Sequence, residues 1–108
     1  MDKITFDDFK KLELKVGKVL SAVPVEKSEK LLRLQVDFGR EKRQVISGIA
    51  KSYSPEDLID KSFVFVTNLE SRMIMGLESQ GMLIAADVEG KPVFLQLAQS
   101  VPNGSPLM

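Results

Sequence analysis

Asn68, Arg72, Ser79, Gln80 and Met82 fall within one stretch, NLESRMIMGLESQGMLIAA (68–86), between two runs that read as buried strands. An apolar core has no need of Asn, Ser and Gln at such a junction, because burying each without a partner costs about 1–3 kcal/mol. An exposed tip would normally be more polar than RMIMG. One guanidinium, three short polar side chains and flexible Met together suit a surface that accepts a stacked base beside a phosphate. The competing reading is a strand–turn–strand corner whose polar groups are satisfied within the fold.

The rest of the chain narrows the chemistry. A chain of 108 residues, 44% hydrophobic and 28% charged, is one ordinary soluble domain that buries its own core. It contains no Cys and no His, which removes disulfides, thiolate nucleophiles, the commonest general base and the usual zinc ligands. Asp7, Asp8, Asp57 and Asp60 are the obvious carboxylates, but they sit at helix caps or in a helix-bordering turn, where each has a structural role. No loop cradles a phosphate as a nucleotide-hydrolysing enzyme requires. Catalysis, cofactors and metals are therefore not expected. The charged N-terminus and the lack of any long apolar run point to a cytoplasmic protein with no membrane partner.

Net charge is zero, yet it is unevenly spread. Residues 1–51 carry twelve Lys+Arg against eight Asp+Glu, a balance of +4, and residues 52–108 carry three against seven, a balance of −4. The basic side chains of the first half could form one face, and over a Debye length of about 8 Å local clustering outweighs the total.

The elements that must position these residues are mostly strands. Thr5 reads as the N-cap of a short helix with Asp8 at its third position, and Ile4, Phe6 and Phe9 are expected to fasten that helix to the body. Leu12–Val25 reads as a long strand whose alternation shifts at Gly17, where a β-bulge is expected. Leu31–Phe38 alternates cleanly, and Lys42–Ser47 returns after Gly39-Arg40-Glu41 as its hairpin partner. Ser54-Pro55-Glu56-Asp57 reads as a helix start. Ser62–Thr67, Met82–Ala86 and Pro92–Leu97 read as further strands. The fold class expected is mostly β: a five-stranded oligonucleotide/oligosaccharide-binding (OB-fold) barrel over residues 1–108. It would have a short N-terminal helix, a helix between strands 3 and 4, and C-terminal additions.

FDDFKKLELKVGKV (6–19), SEKLLRLQVDFG (28–39), VISGIAKSYSPEDLIDK (45–61), NLESRMIMGLESQGMLIAA (68–86) and VPNGS (101–105) together resemble the tRNA-binding domain family. That domain is found at the C-terminus of many bacterial methionyl-tRNA synthetases and in stand-alone tRNA-binding proteins. The resemblance implies a non-catalytic module that recognises the outer corner of folded tRNA largely by shape, with little sequence specificity, commonly as a homodimer. Carried over residue by residue, it implies a tRNA-binding surface of Lys30, Lys51, Asn68, Arg72, Ser79, Gln80 and Met82. Their chemistry agrees: Lys30 and Lys51 as point charges, Arg72 as a bidentate phosphate ligand or base platform, and Met82 as a polarizable contact. Structural readings stand beside these, with Met82 in the core and Ser79 and Gln80 holding a turn. The chain has no extended basic tail and only one Tyr and no Trp, which argues against broad single-strand stacking and suits a folded RNA bound by a dimer. No DNA partner is expected, and a synthetase catalytic domain is a possible one.

One branch of the same fold family is associated with unfolded presecretory polypeptides, and a protein-export chaperone is the alternative function. In that branch the SQGM segment is usually replaced, and here Ser79–Met82 is intact. The physical motive for a dimer is the apolar content of residues 82–108: Val93, Phe94, Leu95, Leu97, Val101 and Leu107.

Overall fold

The computed structural model describes all 108 residues. After a short helix α1 (Phe6–Lys10) come β1 (Leu14–Pro24), β2 (Leu32–Asp37), β3 (Lys42–Ser47) and β4 (Ser62–Val66). A small hairpin follows, β5 (Arg72–Ile74) and β6 (Leu77–Ser79), then β7 (Met82–Leu83) and a second ribbon, β8 (Ala85–Val88) and β9 (Lys91–Phe94). The main sheet runs β3-β2-β1-β4-β7, antiparallel throughout, and curls into a nearly closed five-stranded barrel.

The alternation in β2 fixes which face is inside. Leu32, Leu34 and Val36 point inward and are almost fully buried with Val19, Val45, Leu58 and Phe65. Burying each such side chain contributes about 1.5–3 kcal/mol. The opposite face of β2 and β3 carries Arg33, Gln35 and Asp37 in register with Ile46, Gln44 and Lys42.

β1 serves two neighbours on each side of a bend. Its register with β2 slips between Val19 and Ser21, so the bulge is at Leu20 and not at Gly17, where the alternation suggested it. Gly17 answers a different constraint: a Cβ there would lie 2.5 Å from Val36 Cγ1 and 2.6 Å from the Phe38 ring. β2 pairs with β1 only as far as Lys18, and beyond it the C-terminal segment takes its place. Val16 N–H donates to Ser105 O, Gly104 N–H to Val16 O and Leu107 N–H to Leu14 O. This is the structural role of the VPNGS turn.

One expected helix shortens and the other packs differently. The one between β3 and β4 is a single 3-10 turn, Pro55–Asp57. Asp57 Oδ2 accepts from both the backbone N–H and the hydroxyl of Ser54, which draws its pKa down, while buried Leu58 ends the turn. α1 forms as expected, with Thr5 Oγ1 accepting from Asp8 N–H at 3.1 Å. It buries none of its residues, however, so Ile4, Phe6 and Phe9 do not fasten it to the body. Phe6 and Phe9 stack loosely on each other, 6.4 Å between centroids, and Phe6 is 71% exposed.

The stretch expected as one strand, Met82–Ala86, is divided between two sheets. β7 pairs with β4, whereas β8 leaves with β9 and lies outside the barrel. Phe94 anchors that ribbon, its ring 4.4 Å from Tyr53 and 4.8 Å from Phe63, and the Tyr53 hydroxyl donates to Pro92 O.

Candidate functional site

The barrel closes between β3 and β7, and it closes through side chains. In the β2–β3 ladder the N–H groups of Gln44 and Ile46 face the free edge. Ile46 N–H donates to Ser79 Oγ at 3.0 Å, and that hydroxyl donates onward to Gly81 O at 3.2 Å. Gln44 N–H donates to Gln80 Oε1 at 3.2 Å, while Gln80 N–H donates to Gln44 O at 2.8 Å. Gln44 Nε2 reaches Glu78 O at 2.8 Å. Arg43 completes the seam: its Nη1 donates to Thr67 O and, at 3.3 Å, to Gln80 O, and Nη2 pairs with Glu41 at 2.5 Å. A short polar segment thus substitutes for a strand ladder, satisfying edge donors that would otherwise be left unpaired.

The predicted residues divide along this seam. Ser79 is buried, 5% exposed, and Gln80 is half-buried; both act on β3 in the ways just described. Asn68 is exposed but committed, since its Oδ1 accepts from Glu13 N–H at 2.7 Å and its Nδ2 donates to Lys11 O. It ties the start of β1 to the end of β4. Beside it, the Thr67 hydroxyl reaches the Glu13 carboxylate at 2.7 Å, which with nearby Lys15 lowers the Glu13 pKa. Met82 pairs with Val66 and is 48% exposed, so it is not core.

Arg72 lies opposite Ser79 in the β5–β6 hairpin and is exposed. One transverse row therefore runs Arg33–Ile46–Ser79–Arg72 across β2, β3, β6 and β5. Lys30 and Ala50, the residue before Lys51, are joined just past the far end of β3, where Ala50 N–H donates to Lys30 O at 3.0 Å. Arg43 and Ser47 are four residues apart on β3, or about 13 Å at strand rise. Asn68, Gln80 and Met82 thus mark one end of this edge and the two lysines the other, with Arg72 between. None of Lys30, Lys51 and Arg72 forms an ion pair.

The sequence reading did not anticipate the β5–β6 hairpin or the seam role of Arg43 and Gln44. The hairpin packs Ile74 and Leu77 over Val25, Leu31 and Ile46. Its turn residues, Met75 and Gly76, have φ of 50° and 80°. That turn usually carries Asn-Gly, so Met at its first position hid it. A polar residue recurring opposite strand-edge donors was the only available sign of the seam.

The sequence matches the model of the family described as "Putative tRNA binding domain" over residues 14–106. It is 52% identical over 104 residues to methionine–tRNA ligase 1 of Bacillus anthracis, covering 96% of this chain and 16% of that protein. It is 54% identical over 101 residues to methionine–tRNA ligase of Methanothrix thermoacetophila, covering 94% and 15%. The chain thus spans about a sixth of the length of these relatives. Among solved structures, a MetRS-related protein from Pyrococcus horikoshii matches with TM-score 0.95 and 41% identity, all of each chain being covered. The chaperone CsaA of Bacillus anthracis matches with TM-score 0.88 and 31% identity, over 99% of this chain and all of that one.

Proposed function

We propose, from the premise that this chain belongs to the tRNA-binding domain family, that it is a non-catalytic module which holds the outer corner of folded tRNA against the β3 edge. The family match across nearly the whole barrel carries this reading. The exposed, unpaired Lys30, Lys51 and Arg72 along one edge support it. These three would engage phosphates, Arg72 in bidentate fashion, and Met82 would supply an apolar contact to a base or ribose. Asn68, Ser79 and Gln80 would contribute mainly by holding the edge in shape. Few cations on a rigid surface suit recognition of a fold more than of a sequence. As a stand-alone protein, or appended as an OB-fold domain to a synthetase, it would raise the local tRNA concentration near a catalytic domain in the cytoplasm.

A homodimer belongs to the same proposal. The exposed Ile4, Phe6 and Phe9 of the N-terminal segment support it, as do exposed Val93, Leu95 and Leu107. Two linked copies would raise effective affinity where one offers few phosphate contacts.

The likeness to CsaA favours a second reading, a chaperone for unfolded presecretory polypeptides. Filter binding separates the two: wild type and Arg72→Ala are titrated with tRNA and with duplex RNA of equal length, at two salt concentrations. The tRNA reading requires preference for tRNA, weakened by salt and by the substitution. Equal binding to both RNAs, unchanged in Arg72→Ala, together with capture of a reduced, unfolded polypeptide, would replace it with the chaperone reading.

A further inference from the structure

The chain has five methionines, two of which are its termini. The other three, Met73, Met75 and Met82, are between 48% and 69% exposed, on the β5–β6 hairpin and at the start of β7. None enters the core, which is built from Val, Leu, Ile, Phe and Ala. Methionine is ordinarily among the residues most often fully buried. With no Cys in the chain, these thioethers are the only internal sulfur atoms that an oxidant can reach.

Met75 is set apart by its neighbours. It holds the first position of a turn that favours Asn, at φ of 50°. It also shares a groove of about 480 Å³ with Lys27 and Arg33. Neither cation is ion-paired, and Glu26 is the one carboxylate on the lining. A thioether offers these donors almost nothing, because its sulfur is a weak acceptor. Its sulfoxide is polar and presents an S=O oxygen.

We propose that Met75 is a reversible oxidation site whose sulfoxide latches the hairpin tip to Arg33. Only the effect on RNA rests on the tRNA reading above; the chemistry does not. A peroxide is the oxidant. Its O–O bond breaks as the sulfur gives up two electrons; one oxygen joins the sulfur as S=O and the other leaves as water. The new oxygen accepts from the Arg33 guanidinium across the groove, with Lys27 as a second donor, while Glu26 as a carboxylate has no donor for it. Both cations are then turned to the hairpin and away from an anionic ligand. Methionine sulfoxide reductases, one for each sulfoxide epimer, reverse the step. With a dithiol as reductant the oxygen departs as water and the dithiol becomes a disulfide.

Hydrogen peroxide is added to the full chain, and the sulfoxides are located by peptide mass spectrometry. Met75→Leu removes the site, and Met75→Gln puts a permanent carbonyl acceptor in its place. Without RNA, oxidation of wild type should shift the Arg33 guanidinium N–H signals in NMR, and the two reductases with a dithiol should restore them. With RNA, tRNA affinity should fall by roughly tenfold or more, the worth of one hydrogen bond to a charged group. The log–log salt slope should flatten by about 0.7–0.9 for each cation withdrawn. Treated Met75→Leu should keep its affinity and slope, and untreated Met75→Gln should behave as oxidised wild type. Arg33 signals unmoved at full oxidation of Met75 overturn the latch, whether or not tRNA binds. A loss of affinity in treated Met75→Leu equal to that of wild type assigns the effect to Met73 or Met82 and overturns the choice of Met75. Failure of untreated wild type to bind tRNA overturns the parent reading and leaves the NMR test of the latch in force.

Discussion

Ser79→Ala tests whether the barrel is held shut by a hydroxyl. In the folded chain Ser79 Oγ accepts from Ile46 N–H at 3.0 Å and donates to Gly81 O at 3.2 Å, in a position only 5% exposed. Alanine removes both bonds and offers nothing in return. The Ile46 amide then points at a methyl group, and an orphaned buried donor costs about 1–3 kcal/mol. The part-buried Gly81 carbonyl loses its donor as well. For a domain of roughly this size each kcal/mol moves the midpoint by about 4–8 °C, so thermal denaturation followed by circular dichroism should show a fall of about 4–24 °C. At a temperature where both proteins are folded, tRNA affinity should fall less in Ser79→Ala than in Arg72→Ala, because the hydroxyl is turned to β3 and the guanidinium is free. An unchanged melting temperature with a collapse of tRNA affinity would refute the closure argument and make Ser79 a direct RNA contact.

Gly104→Ala should be far more damaging than its exposure suggests. A Cβ there would sit 2.0 Å from Phe38 O, at φ of 85°, so the variant should lose more than about 3 kcal/mol or fail to fold by chemical denaturation. Glu13 has its pKa lowered chiefly by the Thr67 hydroxyl. Its contribution to stability is therefore present above the usual glutamate range and is lost as pH falls through the lowered value. Thr67→Val should move the Glu13 carboxyl titration upward by NMR and narrow that acid-sensitive window; an unmoved titration would discount the hydrogen bond. Lys30→Ala/Lys51→Ala should flatten the salt slope of tRNA binding by about 1.4–1.8, one increment of 0.7–0.9 per lost phosphate contact. A slope equal to wild type would place both lysines off the RNA. If the proposed dimer forms through α1, Phe6→Ser/Phe9→Ser should shift sedimentation toward 12.0 kDa while leaving the melting transition of the barrel in place, since α1 buries nothing within one copy.

The parts of the fold that were legible in the sequence are those governed by period-2 alternation. β2 declares itself because Leu32, Leu34 and Val36 must all face one side, and β3 follows from the Gly39 turn. The bulge was displaced by three residues because a glycine has two uses. Gly17 relieves crowding by Val36 and Phe38, while the extra residue that bends the strand is Leu20. The helix after β3 shrank to one turn because its capping residues specify a start and say nothing of length. The exposure of α1 was hidden because apolar residues on a short helix carry no address: the same Phe6 and Phe9 serve a fold or a partner equally well.

The candidate site was legible in membership more than in role. Asn68, Ser79 and Gln80 do cluster about one seam, as their spacing suggested, but each spends its hydrogen bonds on backbone groups of Glu13, Ile46 and Gln44. The corner is therefore satisfied internally, and the free cations are arranged around it. This has a consequence for recognition. A ligand read by its shape needs a surface that does not adjust, and this open sheet edge is stiffened by side-chain oxygens of Ser79 and Gln80 that accept from its free N–H donors. On the proposed reading Ser79 and Gln80 would matter to RNA binding through the fixed relation they impose between Arg72 on the hairpin and β3. Loosening the seam should then weaken discrimination between tRNA and duplex before it weakens affinity for either.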